Sequence, residues 1–479
     1  MMPLAELAET LAAAHPGESG FRILDHGADA FAARAMLADR AESTLDLQYY
    51  LVHDGQTTRL LVDALLRAAD RGVQVRLLLD DTLSHGRDFD VVKLSAHPGI
   101  QVRLFNPLRS SSQSIVTRSL AVLTQLNRLH RRMHNKLWIA DSAVAISGGR
   151  NLGDEYFSAD DEINFADIDL LSVGPVAAEL AESFNAYWHS EHAVPVEQVL
   201  ERRLVADDLR RVRAGIRKFL AGGSVASSAW AKRLRERAPL VLADDTLLWA
   251  PAHAIWDDPD KIVSPGMPPG NQMLEAELLP LFARVKSRLM LVSAYFVPGD
   301  DGMAAIREMR ARGVDVRVMT NSLEATDVPF VYGAYVPYRQ PLLECGVDLR
   351  EMKARLGTHA MRRRVGIWGS AQASLHTKAM VFDGAVAFVG SYNMDPRSRF
   401  WNTEVGVLVH SPALARELEA ILDEAFRPDN SYRLALEDGE IVYREQDRRG
   451  QVRTVSQPAS PWKRFQSWVS DRVGPREFM

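Results

Sequence analysis

Along residues 43–80 the hydrophobic pattern changes period twice. STLDLQYY reads as an extended run, LLVDALLRAADRGV places its apolar residues at helical spacing, and VRLLLD is extended again. This order predicts a strand, a helix and a second strand. Residues 287–320 repeat it, with SRLMLVSAYFV leading into MAAIREMRARGV and then VRVMT. Arg71-Gly72-Val73 and Arg312-Gly313-Val314 hold the same place in the two copies. Each glycine falls where a left-handed residue ends a helix before the next strand. A further strand is expected in both copies, at 100–105 and 347–352. The pattern predicts an α/β chain of two lobes built to one plan.

Residues 1–200 are assigned to the first lobe, 201–240 to a basic helical linker, 241–430 to the second lobe and 431–479 to a polar extension. The linker holds eleven Lys or Arg against four acids over 201–237. That excess fits either a solvated helix face or contact with anionic headgroups. In the extension, Trp462, Phe465, Trp468 or Val469, and Val473 recur at helical spacing beside Lys463, Arg464 and Arg472. Such a helix either lies on a membrane surface or docks on the body of the protein. The N-terminal stretch predicts a short amphipathic helix; Glu6 and Glu9 and the lack of a basic leader exclude a signal peptide. Runs such as LMLVSAYFV fall short of the roughly 20 apolar residues needed to span a bilayer.

Composition changes this picture little. The 479 residues are 47% hydrophobic and 25% charged, with a formal charge of −5. No global basic field of the kind nucleic-acid binding uses is present, so no nucleic-acid partner is expected. Cys345 is the only cysteine, which rules out an intrachain disulfide and a thiolate-rich zinc site.

The chemistry is carried by a duplicated motif. HNKLWIAD supplies His134, Lys136 and Asp141, and HTKAMVFD supplies His376, Lys378 and Asp383. The histidines fall about 62 and 63 residues after Gly72 and Gly313, and GGRN (148–151) and GSYN (390–393) follow at equal spacing. Apolar neighbours suggest that each motif lies on a strand, with His and Lys on one face and the aspartate on the other. Asp141 and Asp383, although part of the motif, then read as structural anchors. Asn151 and Asn393 return beside the His and Lys, and Ser391, where the first lobe has Gly149, offers a hydroxyl to phosphate on one side only. A set of His, Lys and Asn suits a phosphate anion. A lysine beside each histidine would repel a divalent cation, so neither metal nor other cofactor is expected. A nucleophilic histidine must be neutral, with a carboxylate holding its other nitrogen. Asp167 and Glu404, downstream of His134 and His376 in FADIDLLSVGP and WNTEVGVLV, are the candidates, and Asp169 competes with Asp167.

On these motifs, and on QYYLVHDGQTTRLLVDALLRAADRGVQVRLLLDD and NSLEATDV, the chain resembles the phospholipase D superfamily, and within it bacterial cardiolipin synthases of the C type. The resemblance implies two mixed sheets flanked by helices, with the motifs meeting between the lobes. It also implies phosphatidyl transfer through a phosphohistidine, with His134 as nucleophile and His376 as general acid and base. Lys136, Lys378, Asn151 and Asn393 would hold phosphate. The implied substrates are phosphatidylethanolamine as donor and phosphatidylglycerol as acceptor, at the cytoplasmic face of a bacterial inner membrane. A basic, amphipathic insertion at 108–133 would open the site toward the membrane or pack on its own lobe. An accessory protein is neither implied nor excluded. Hydrolysis by the same chemistry, as in a phospholipase D or a nuclease, is the alternative, with Arg128, Arg131, Arg132 and Arg362 to Arg364 near the motifs. A non-catalytic lipid-binding protein is a third reading that two intact motifs oppose.

Overall fold

The computed structural model describes residues 2–81, 91–107, 131–200, 202–223, 228–236, 242–263, 273–366, 371–446, 451–457 and 459–473. Both predicted units form. Strand Thr44–Tyr49, helix Gln56–Asp70 and strand Gln74–Asp80 match strand Arg288–Ser293, helix Gly299–Ala311 and strand Asp315–Asn321. Within each unit the two strands pair in parallel, which requires the crossover that the helix supplies. Gly72 and Gly313 end the helices with φ of +100° and +84°.

Each unit extends into a mixed sheet. In the first, Asp169–Val173, Val144–Gly148, Leu137–Ala140, Thr44–Tyr49, Gln74–Asp80 and Ile100–Phe105 lie side by side. Val405–His410, Val386–Gly390, Lys378–Phe382, Arg288–Ser293, Asp315–Asn321 and Asp348–Met352 repeat that order in the second. The strands Asp169–Val173 and Val405–His410 pair with the strand after each motif strand, not with the motif strand itself.

The motif strands are buried on both faces, which explains the unbroken apolar runs LWIA and AMVF. Leu137 and Ile139 of the first join Ala379 and Val381 of the second in one core between the sheets. Trp138 and Ala140 point the other way, into a core covered by the first lobe's helices. The chain crosses between sheets at Pro251: Leu248–Ala250 pairs with Ser19–Leu24, and Ala252–Trp256 pairs with Val405–His410.

Three segments depart from, or refine, the sequence reading. Past residue 430 the chain continues the second sheet with Ser431–Glu437, Glu440–Gln446 and Val452–Val455. Among the described apolar residues of these strands only Tyr432, Leu434 and Tyr443 are deeply buried, so the alternation is weak in sequence. The linker forms helices Ala206–Ala221 and Ala229–Glu236, which bury Val212, Ile216 and Trp230 against the first lobe. Part of its charge is paired internally, with Arg213 on Asp70 at 2.7 Å and Arg202 on Asp208 at 3.2 Å. Of the insertion at 108–133, residues 108–130 lie outside the described residues.

Candidate active site

The two motif strands begin at Leu137 and Lys378. His134, Lys136 and His376 therefore precede their strands, where a shared strand face was expected, and contacts with the opposite lobe hold them. The His134 N–H donates to the Thr403 carbonyl at 2.9 Å, and the His376 N–H donates to the Ala166 carbonyl at 2.8 Å. Gln372–Leu375 pairs in parallel with Ile163–Ala166, so the second motif enters the site along a strand of the first lobe. A second clamp comes from each motif's own lobe. Asp80 accepts the N–H of Met133 at 2.9 Å, and Asn321 accepts that of Leu375 at 2.8 Å. Each clamp holds the residue immediately before a motif histidine.

The acids follow from this register. Thr403 is succeeded by Glu404 and Ala166 by Asp167, so the carboxylate next to each anchoring carbonyl reaches the imidazole. His134 Nδ1 lies 2.9 Å from Glu404 Oε2, and His376 Nδ1 lies 2.6 Å from Asp167 Oδ2. The pairing is crossed: each acid serves the histidine of the other lobe, not the one it follows in sequence. Asp169 is not a competitor, because it is committed to Arg34 at 2.9 Å and Arg150 at 3.5 Å. A carboxylate at Nδ1 fixes that nitrogen as the N–H and leaves Nε2 with its lone pair.

The two acids are supported differently. Glu404 accepts hydrogen bonds from the hydroxyls of Ser391 and Ser398 as well. Ser391, expected at phosphate, instead accepts the Val405 N–H and donates to Glu404. Opposite it, a Cβ on Gly149 would lie 2.1 Å from Asp167 Oδ1. The Gly149 and Ser391 difference is thus a matter of acid length. The shorter Asp167 occupies the space of a side chain at 149, whereas the longer Glu404 leaves room for the serine that braces it.

Lys136 and Lys378 are buried, and each ammonium donates to the carbonyl of its own motif histidine at 2.5 Å. Burial, then Lys136, Lys378 and Arg397, push His134 well below the ordinary imidazole range. Burial, then Lys378, with Lys136 adding to it, lower His376 to about 4 against the pull of Asp167. Each histidine thus feels the lysine of both motifs, as expected of groups facing one space. Burial also depresses both lysines, opposed by the Glu404 and Asp167 carboxylates. Burial alone would raise Asp167, yet His376, Lys378 and Arg150 hold it below the usual carboxylate range. Burial raises Glu404 despite Lys136.

The asparagines are not equivalent. Asn151 donates to the Tyr156 hydroxyl at 3.0 Å and accepts from the Leu51 N–H. Asn393 Oδ1 is buried with no hydrogen-bond partner among the described residues. Asp141 and Asp383 lie at the far ends of the motif strands, each with φ of 53°. Asp141 accepts the N–H groups of Glu42, Ser43 and Thr44; Asp383 accepts those of Lys286, Ser287 and Arg288. Neither reaches a histidine, in keeping with a role as strand anchors.

Several neighbours were not anticipated. Tyr50 stands edge-on to His134 at 5.1 Å, and Tyr156 edge-on to His376 at 5.2 Å. Tyr295 donates to Asp327 at 2.9 Å. The sequence carries one signal for two of these tyrosines, since QYY and SAYF close corresponding strands of the repeat. The basic residues near the motifs are largely engaged: Arg131 lies over the Trp401 ring at 4.9 Å, Arg132 bonds Asp80, and Arg364 bonds Asp25. Arg128 lies outside the described residues. Among the described residues, no three His, Cys, Asp or Glu side chains gather as metal ligands.

Comparison with known proteins gives a consistent picture. A family model described as "Cardiolipin synthase, PLD-like domain" matches residues 36–188 and 278–426. The chain is 38% identical over 475 residues to Cardiolipin synthase C of Escherichia coli (strain K12), covering 97% of each chain. It is 25% identical over 426 residues to Cardiolipin synthase A of Pseudomonas entomophila (strain L48), covering 89% of this chain and 72% of the relative. The crystal structure of phosphatidylserine synthase from Haemophilus influenzae Rd KW20 shares the fold, with a TM-score of 0.58 over 89% of this chain and 91% of that one, at 14% identity.

Proposed function

The chain belongs to the cardiolipin synthase family with phospholipase D-like domains, and from that premise we propose that it passes a phosphatidyl group from phosphatidylethanolamine to the free hydroxyl of phosphatidylglycerol. It is a phosphatidyltransferase of the phospholipase D superfamily. The observation that carries the reading is the crossed pair of imidazole–carboxylate contacts beside two buried lysines.

In the proposed first step, His134 Nε2 attacks the donor phosphorus, forming a P–N bond. The P–O bond to the headgroup breaks, and a proton from His376 Nε2 passes to the departing oxygen. In the second step, the acceptor hydroxyl gives its proton to His376 as its oxygen attacks phosphorus. The P–N bond breaks and His134 is restored. The division of roles has an electrostatic basis. His376 is paired with Asp167, whose lowered range keeps it anionic and able to stabilise an imidazolium. His134 is paired with Glu404, whose range burial raises, and burial, then two lysines and Arg397, keep that imidazole neutral. Lys136, Lys378 and the Asn393 Nδ2 are the groups proposed to donate to phosphate oxygens. A phosphate anion entering between the lysines would lift the depression on His376 and allow its protonation.

Among the described residues no helix is long and apolar enough to cross a membrane; the enzyme is proposed to act peripherally, on the cytoplasmic face of the inner membrane. Purified protein with labelled phosphatidylethanolamine and phosphatidylglycerol in mixed vesicles tests the function. Cardiolipin with released ethanolamine is the expected product. Phosphatidic acid as the main product with abundant acceptor present would make the enzyme a hydrolase, and lipid-independent DNA cleavage would make it a nuclease.

A further inference from the structure

The C-terminal helix Pro461–Val473 has two faces with different fates. Its small residues dock on helix Pro329–Glu344: Ser467 and Ser470 are buried, and the Ser470 hydroxyl donates to the Phe330 carbonyl at 2.6 Å. The helices approach so closely at Gly333 that a Cβ there would lie 2.5 Å from the Ser467 carbonyl. Among the described side chains of this helix, the largest apolar ones, Trp462, Phe465 and Trp468, stay exposed outside this contact.

Those side chains are on the other face. Trp462, Phe465 and Trp468 are 64%, 52% and 50% exposed. A spacing of three keeps them on one side of a helix, and their rings form a ladder, stacked at centroid distances of 5.6 Å and 6.3 Å. Phe330 at the head of the neighbouring helix is 43% exposed. Large exposed apolar patches mark interaction surfaces. Among the described side chains of this helix, two basic ones flank the rings. Arg464 and Arg472 are exposed, and the Arg472 guanidinium sits 5.0 Å above the Trp468 ring. Aromatic rings with arginines beside them match the depth profile of a bilayer interface, with rings at the acyl boundary and guanidinium groups among anionic headgroups.

The helix is also tied to the site. Lys463 Nζ donates to the carbonyls of Glu324 and Thr326, both at 2.7 Å. The next residue, Asp327, accepts the Tyr295 hydroxyl and is close enough to act electrostatically on Lys378.

We propose that Trp462, Phe465 and Trp468 seat this enzyme on an anionic lipid bilayer, holding the mouth of the active site at headgroup level. The inference rests on the lipid-substrate reading for its purpose, but its test does not require turnover. Vesicles of phosphatidylcholine with and without phosphatidylglycerol are floated with the full-length protein and with a triple variant, W462S/F465S/W468S. The parent is expected to float with the anionic vesicles, and the variant to lose about tenfold or more of that binding. Trp emission in the parent is expected to shift to the blue and to be quenched by lipids brominated high in the chain. R464E/R472E is expected to weaken binding at low salt more than at high salt. Because the three rings lie outside the packed face, the triple variant is expected to keep its melting temperature and its turnover of short-chain, monomeric lipids. Undiminished flotation of the triple variant would overturn the proposal, as would the absence of any emission shift in the parent, and both would point instead to a protein partner for the stripe. Ring-dependent flotation without cardiolipin formation by the parent would leave this inference standing and overturn the proposed function.

Discussion

Glu404 and His134 are 270 positions apart in the chain and 2.9 Å apart across the boundary between the lobes. Asp167 and His376 make the reciprocal contact at 2.6 Å. Neither motif histidine takes its carboxylate from its own lobe, so the proposed catalytic chemistry requires both lobes in register.

The crossed pairing predicts which imidazole responds to which acid. With the ring nitrogens of the histidines labelled, Glu404→Gln should move the magnetic resonance signals of His134 and leave those of His376 nearly in place. Asp167→Asn should do the reverse. Each variant should lose about 10²- to 10⁴-fold in turnover, as expected when the carboxylate that sets a catalytic tautomer is removed. Responses confined to the same lobe would disprove the crossing.

If His134 is the nucleophile, a rapid acid quench of protein reacting with headgroup-cleavable labelled donor should leave the phosphatidyl label on His134. His134→Ala should carry none. His376→Ala, lacking the proton donor, should form the intermediate slowly and discharge it more slowly still. Label found only on His376 would exchange the two roles.

Gly149 should tolerate no side chain. A Cβ there would stand 2.1 Å from Asp167 Oδ1, so Gly149→Ala must displace the carboxylate that holds His376. The expected result is a loss of turnover close to that of Asp167→Asn, with a destabilisation of about 1–3 kcal/mol in urea unfolding. Ser391→Gly removes a brace from Glu404 without displacing it and should cost less activity. Equal turnover in Gly149→Ala and the parent would show that Asp167 is not needed where it lies.

The lowered His376 makes stability depend on pH. The unfolded imidazole takes its proton near 6.5, whereas the folded one does so only near 4, because burial and then Lys378 disfavour the charge. Between those values the unfolded chain holds the extra proton, so stability falls as pH drops below about 6.5 and the loss is complete below about 4. The contribution is on the order of 3 kcal/mol. Denaturant unfolding at pH 7.5 and pH 5 should therefore show a smaller pH dependence in His376→Asn than in the parent. An unchanged dependence would mean that the folded imidazole titrates normally.

Local pattern was enough to reveal the repeated strand–helix–strand units, the turns at Gly72 and Gly313, the duplicated motifs and the two acids, because each is a matter of spacing along one segment. Asp80 and Asn321 both stand eight residues after those glycines, but their use as clamps on Met133 and Leu375 emerged only from the structure. The identity of Asp167 over Asp169 depended on Arg34 and Arg150 claiming the latter from distant positions. The partner of each acid, the hydroxyl of Ser391 turned to Glu404 and the side on which the C-terminal helix docks were likewise settled only by packing. Spacing specifies what lies within one strand or helix; which lobe supplies the carboxylate depends on the register between two sheets, and that register is set by a shared core and by backbone bonds such as His134 to Thr403 and His376 to Ala166, whose partners are far apart in sequence.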